Sequence, residues 1–197
     1  MHARRQPELR PRKRPSQARS RDTVGAILRA AAQVFAAHGY AAGTTNRIAE
    51  RAGVSIGSLY EYFPNKDALL VALMEAHVAE GQAILARAAA ETAVAADPLP
   101  VVVRRFVEAM VALHARDRAL HRVLFEEAPQ PRRVRRLLAE LEAEVTAEVA
   151  AFLRGHPAVT ARDPALAAAV VVQAVEGITH RLVVHGERDD DRAGQVE

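Results

Sequence analysis

The residues Gly53-Val54-Ser55-Ile56-Gly57 spell G-x-S-x-G, the spacing with which a hydrolase lifts a nucleophilic serine out of a sharp strand-to-helix turn. Acyl transfer by Ser55 would need a strand before the serine, a helix after it, and an acid and a histidine carried by the same α/β sheet. Other groups able to do chemistry are the histidines His77, His114, His121 and His180, set within apolar stretches, and the acidic pair Glu126-Glu127. The pair reads as a solvated helix end rather than as an acid and base working together. There is no cysteine, which removes disulfides, thiolate ligands and cysteine nucleophiles together. No two histidines have the H-x-x-x-H spacing that sets two ligands on one helix face, so neither a metal site nor a cofactor is expected.

The elements around Ser55 are helices. RDTVGAILRAAAQVFAAHG places Ile27, Ala31, Val34 and Phe35 on one helical face and ends at Gly39, where a left-handed residue would close it. Thr44 and Thr45 offer a capping oxygen to the short helix NRIAERA, Gly53 stops that helix, and Ser55 opens the next. A serine between two helices, with no strand signal in the chain, is no nucleophile elbow, and no catalytic residue is expected. A helix-turn-helix accounts for the same residues: its helices cross steeply, so the first needs a small residue at the crossing and a glycine at the turn, as Ala49 and Gly53 supply. Ile48, Ala52, Val54, Leu59 and Tyr62 then form the buried side. Asn46, Ser55, Ile56, Gly57, Ser58 and Tyr60 face outward.

Charge divides the chain. Residues 1–66 hold 12 Lys/Arg against 4 Asp/Glu, whereas residues 67–197 hold 15 against 20, so the two parts suit different partners. Eight of the cations precede position 22 and are interrupted by three prolines, which reads as a disordered basic arm over residues 1–20. No apolar run reaches the length of about 18 residues that crosses a bilayer, and MHARRQPELRPRKRP lacks the apolar segment of a signal peptide. A cytoplasmic protein without a membrane partner is expected.

The stretch TTNRIAERAGVSIGSLYEYFPNKDALL resembles the DNA-binding signature of the TetR (AcrR-like) transcriptional regulators, and the match runs almost without gap from Ala26 to Leu73. The resemblance implies an all-α fold: a three-helix helix-turn-helix DNA-binding domain over residues 21–66, then a helical ligand-binding and dimerisation domain over residues 67–187, before a polar tail at 188–197. It implies that the helix from Ser55 to Tyr62 enters the major groove. Thr45 and Asn46 then lie near a phosphate or base edge, and Ser55, Ile56, Gly57 and Ser58 lie on the groove face. Tyr60 and Tyr62 offer hydroxyls to phosphates, as Lys66 offers its ammonium. The partners implied are a double-stranded palindromic operator, a second copy in a homodimer and a small-molecule effector, the chain acting as a repressor. One departure matters: Ile56 stands where many relatives have a polar residue and can meet only apolar groups such as a thymine methyl, and Glu61 adds a negative charge. Direct base readout is therefore expected to be thin, with much of the affinity in the basic arm, which would enter the minor groove.

Downstream, one long helix is expected from Lys66 to about Ala96, with Leu69, Leu70, Leu73, His77, Ile84 and Leu85 on its apolar positions. Asp97-Pro98-Leu99-Pro100 breaks it, and a helix follows with Val103, Phe106, Val107, Met110 and Val111 on one face. A shorter helix spans about Arg118 to Glu127. Next come a stripe of Leu138, Leu141, Val145 and Phe152, and a last helix from Asp163-Pro164 to His185 that is apolar almost all round, so that it meets its own core on one side and a second copy on the other. His77, Met110, His114, His121, Gln173, Glu176 and His180 are the candidate lining of a pocket for a hydrophobic or amphipathic effector. Two other readings compete: a hydrolase working through Ser55, and a helical module that has lost DNA binding, for which a basic arm would have no use.

Overall fold

A computed structural model of the 197-residue chain describes residues 18–95 and 97–193. The basic arm therefore lies outside the described residues, except that helix α1, Ala18–Ala42, already contains its last three positions. Among the described residues every regular element is helical: α2 Thr45–Ala52, α3 Ile56–Tyr62, α4 Lys66–Ala95, α5 Leu99–Ala115, α6 Arg118–Arg122, a π-helical turn Val123–Glu127, α7 Arg132–Gly155 and α8 Pro164–Ala193. Contacts group residues 18–77 and 119–134 into one unit, and residues 78–118 and 135–193 into a second. The sequence places its domain boundary at Lys66; contacts draw three further turns of α4 and the segment containing α6 into the first unit.

In the first unit α1 packs on α2, α2 on α3, and α1 on the π-helical turn. Most of the expected core is buried, Ile27, Ala31, Val34, Phe35, Ile48 and Leu59 joined by Phe63, Leu69 and Leu70, while Ala52 and Val54 are only half-buried. The ends of these short helices are closed by side chains, because an eight-residue helix leaves most of its terminal N–H and C=O groups without partners of its own. Thr44 caps α2 by accepting from the Arg47 N–H, and Gly53 ends it in the left-handed region at φ 68° and ψ 30°, its N–H reaching Ala49 O and Glu50 O. Ser55 caps α3 by accepting from the Ser58 N–H at 3.0 Å. Gly39 also has positive φ, but its ψ of 171° kinks α1 instead of ending it in a left-handed cap. Gly43, buried beside the Phe35 ring, has no room for a Cβ.

In the second unit α5 packs on α8. Its buried face only partly follows the one the sequence period selects: Val102, Leu113 and His114 are buried and Phe106, Val107 and Met110 half-buried, while Val103 and Val111 are exposed. VVVRRFVEAMVALHA is apolar around most of its circumference, so its period does not fix a single inward direction, and contact with α8 decides. The stripe of α7 is half-buried at Leu138, Leu141, Val145 and Phe152. The last helix does not stop at Gly186 but runs to Ala193, because one interior glycine costs only about 1 kcal/mol and no proline follows it. Residues 188–193 of the expected tail are thus helical. A further correction concerns apolar length: Lys66–Glu91 and Pro164–Val183 are long and apolar enough to cross a membrane by length and composition, the first being 39% buried in this fold and the second 17%. Scattered polar residues such as Glu75 and Gln173 hide that average when only unbroken runs are counted.

Gly53→Ala meets nothing within 4 Å, so its cost is backbone strain alone, about 1–2 kcal/mol. Gly43→Ala carries no positive-φ strain but must displace the Phe35 ring, and urea unfolding should show the larger loss for this second variant.

Candidate nucleic-acid interface and effector residues

The outward face of the first unit is small and polar. Ser55, Ile56, Gly57 and Tyr60 are exposed, as are Asn46 and Arg47 on α2. A Cβ added at Gly57 would meet only Ser55 Oγ, at 3.7 Å, so the start of α3 presents bare backbone. The α2 and α3 helices are tied across this face by the hydroxyls of Thr45 and Tyr60, 3.0 Å apart. Behind them Arg51 donates from Nε to Gln33 Oε1 at 2.7 Å, joining α2 to α1. The Ser55 hydroxyl is engaged with Ser58, as cap to its N–H and 2.9 Å from its Oγ. Among the described residues no strand precedes it, so Ser55 starts a helix and does not sit in an elbow.

Two of the expected contact residues are placed differently. Tyr62 keeps only 7% of its surface exposed, its ring packed at the buried side of α3. Lys66 is half-buried, and its Nζ donates to Tyr40 O at 2.8 Å and to Ala41 O at 3.2 Å while lying 4.2 Å from the centre of the Tyr40 ring. The Tyr40 hydroxyl donates in turn to Asp67 Oδ1. Burial, then the bond to Asp67, push the Tyr40 phenol above its ordinary value, so it stays a donor. Sequence reading missed Tyr40 and Asp67. The available signal was Asp67 in the first turn of α4, where a carboxylate complements the helix dipole.

The seven candidate effector residues are spread over both units. In the first unit His77 and His121 have ring centres 5.1 Å apart, and Phe125 stacks on His121 at 4.3 Å. Beside them, Glu127 is more than a solvated end: it pairs with Arg122 at 3.2 Å, and its carboxylate occupies the space where a side chain at Gly39 would begin. In the second unit Met110, His114 and His180 meet. His114 is buried, its Nδ1 donates to Met110 O at 2.7 Å, and its ring stands edge-on to His180, 6.3 Å between centres. Burial pushes the His114 imidazole below its ordinary value, the Met110 bond opposing and His180 adding to the drop. Gln173 instead donates to Glu142 Oε1 at 2.6 Å on the seam of α7 and α8. Glu176 keeps exposed area there, yet partial desolvation, then the charge of Glu142, raise its carboxyl above the ordinary range, with His180 pulling the other way. Two surface grooves of the second unit, about 660 Å³ beside Leu99, Val103 and Val107 and about 600 Å³ beside Ala139, Ala143 and Ala169, include none of the seven.

The family model "Bacterial regulatory proteins, tetR family" matches residues 27–73, and "Tetracyclin repressor-like, C-terminal domain" matches residues 98–196, half of the chain. The chain belongs to the TetR family. A TetR-like transcriptional regulator from Rhodococcus sp. RHA1 superposes with a TM-score of 0.61 at 26% identity, over 89% of this chain and 88% of that one. The transcriptional regulator FadR from Bacillus subtilis, solved in complex with stearoyl-CoA, has a TM-score of 0.64 at 22% identity over 84% and 89%, a likeness of fold. The fatty acid metabolism regulator protein of Bacillus subtilis (strain 168) is 30% identical over 88 residues, so the match spans 45% of this chain and 45% of that protein.

As a member of the TetR family the chain is a DNA-binding helix-turn-helix transcriptional regulator with a C-terminal ligand-binding domain. The family and its structural neighbours are regulators, not enzymes, which agrees with Ser55 serving as a helix cap.

His114 gives this TetR-family chain a pH dependence of stability. Its folded value lies below the unfolded one, so the unfolded chain binds more protons between the two and stability falls as pH drops through that window. His114→Gln should shrink the difference in melting temperature between pH 7.5 and 5.5; an unchanged difference would assign it to other groups.

Proposed function

We propose that the protein is a dimeric, ligand-responsive repressor that leaves a palindromic operator when a hydrophobic or amphipathic effector binds. One observation carries the DNA half of this reading: the exposed, small-residue start of α3, where Ser55, Ile56 and Gly57 leave backbone open to close approach. Thr45, Asn46, Ser58 and Tyr60 complete the contact set, with hydroxyls and an amide suited to phosphates and base edges. Ile56 and Glu61 lower base readout, so the basic arm supplies much of the affinity and reaches the adjacent minor groove.

Exposure supports the dimer. Leu166, Val170, Ile178 and Leu182 of α8 are 58–65% exposed in a single chain, an apolar strip of the kind that marks an association surface. The alanine-lined groove between α7 and α8 lies on the same helix pair. For the effector, the fold relative that holds stearoyl-CoA makes a long-chain acyl-CoA the first compound to try. The regulator works in the cytoplasm, where operator and effector are both present.

Fluorescence anisotropy on DNA from upstream of the gene, against scrambled DNA, tests the reading. Tight binding to the upstream fragment alone, weakened by stearoyl-CoA, is expected; equal weak binding to both fragments would favour a ligand-binding module that has lost its operator. Deleting residues 1–18 should weaken binding and flatten the salt dependence by about 0.9 in slope for each phosphate that the arm neutralises. Ile178→Glu combined with Leu182→Glu should yield monomers in sedimentation at micromolar concentration, and a persistent dimer would move the interface off α8.

A further inference from the structure

Among the described residues, the first unit leaves two large apolar side chains exposed, Ile56 at 37% and Tyr60 at 39%. Single exposed apolar residues are ordinary on a protein surface. These two are not scattered: they stand four residues apart on α3 and so share one face of the helix. Gly57 belongs to the same patch, and a Cβ placed there would meet only Ser55 Oγ, at 3.7 Å. The patch is therefore apolar at both edges and bare in the middle.

The polar groups around it do not distinguish one base from another. The Ser55 and Ser58 hydroxyls lie 2.9 Å apart and those of Thr45 and Tyr60 3.0 Å apart, so each pair uses one of its two hydrogens on itself. What is left is a hydroxyl, which gives or accepts a hydrogen bond and so suits a purine N7, a keto oxygen or an amino group alike. The sequence of α3, IGSLYEY, holds no Arg, Lys, Asn or Gln for a bidentate contact, and Glu61, its single charge, is repelled by the phosphates. Discrimination by this helix falls to Ile56. In the major groove the apolar feature of a base pair is the C5 methyl of thymine. A cytosine methylated at C5 carries the same group on the same ring carbon, and its amino group, standing where thymine has a keto oxygen, is equally acceptable to a hydroxyl.

We propose that Ile56 makes α3 a reader of the pyrimidine C5 methyl, accepting thymine and 5-methylcytosine alike at its position and disfavouring uracil and unmethylated cytosine. The proposal rests on the reading of this unit as an operator-binding head and adds the chemical group that the head selects.

Duplexes enriched by the full chain from a random pool supply an operator without presuming where it lies in the genome. Each thymine of the enriched site is then replaced singly by deoxyuridine, which removes one methyl and nothing else, and binding is read by fluorescence anisotropy. At one position in each half-site the replacement should weaken binding about fourfold, the ratio to which burial of one methyl group corresponds. With 5-methylcytosine at that position binding should be about fourfold tighter than with cytosine. Ile56→Ala should bring both ratios close to one and, because the side chain is exposed, leave the melting temperature unchanged. Methyl ratios that survive in Ile56→Ala, or an enriched site at which no methyl matters, would overturn the proposal and leave the operator reading standing. A pool that yields no preferred sequence would overturn the operator reading, and the proposal with it.

Discussion

The outward face of the first unit depends on the turn that stops α2 and starts α3. Gly53 adopts φ 68° and ψ 30°, a conformation that costs an ordinary residue about 1–2 kcal/mol, and the bonds from Gly53 N and Val54 N back to α2 keep the chain close to the helix it has left. Ser55 then caps the next helix from an extended conformation. Within three residues the chain changes direction and leaves Ile56, Gly57 and Tyr60 outside, with Leu59 and Tyr62 inside. A side chain that blocked this reversal would alter every contact the unit makes.

Stability and recognition use different residues of the same short helices. Ile48, Leu59 and Phe63 are buried almost completely, and such side chains contribute on the order of 1.5–3 kcal/mol each. The cross-link between Thr45 and Tyr60 is an exposed hydrogen bond and adds little to that total. Its effect is to hold two hydroxyls in one place, so a regulator of this kind can vary its outer residues while its inner ones keep the helices crossed.

The local features of the fold were legible in the sequence because each is decided by a few neighbouring residues. Thr44, Gly53 and Ser55 announce their caps, Asp97 to Pro100 announce a break, and the 3.6-residue period around Ile27 and Phe35 points to the core. What the sequence did not reveal depends on partners distant along the chain. The inward face of α5 is chosen by α8, and apolar residues surround it too evenly for a period to select. The carbonyls that hold Lys66 lie 25 and 26 residues before it, and nothing in the spacing joins them. Tyr62 was legible as a core position from its place on α3. His121 stacks on Phe125, and His114 bonds to a carbonyl one turn earlier, neither of which a histidine's position in the sequence announces.

The π-helical turn at Val123–Glu127 is closed by Ala128 N reaching Val123 O at 2.9 Å, five residues back. Such a turn is an α-helix with one residue added, and the added residue turns all that follows by about 100°. Glu127, whose carboxylate approaches Gly39, lies inside this turn. Loss of a single residue in this stretch would keep the helix and re-aim its side chains, so here length, more than composition, carries the information.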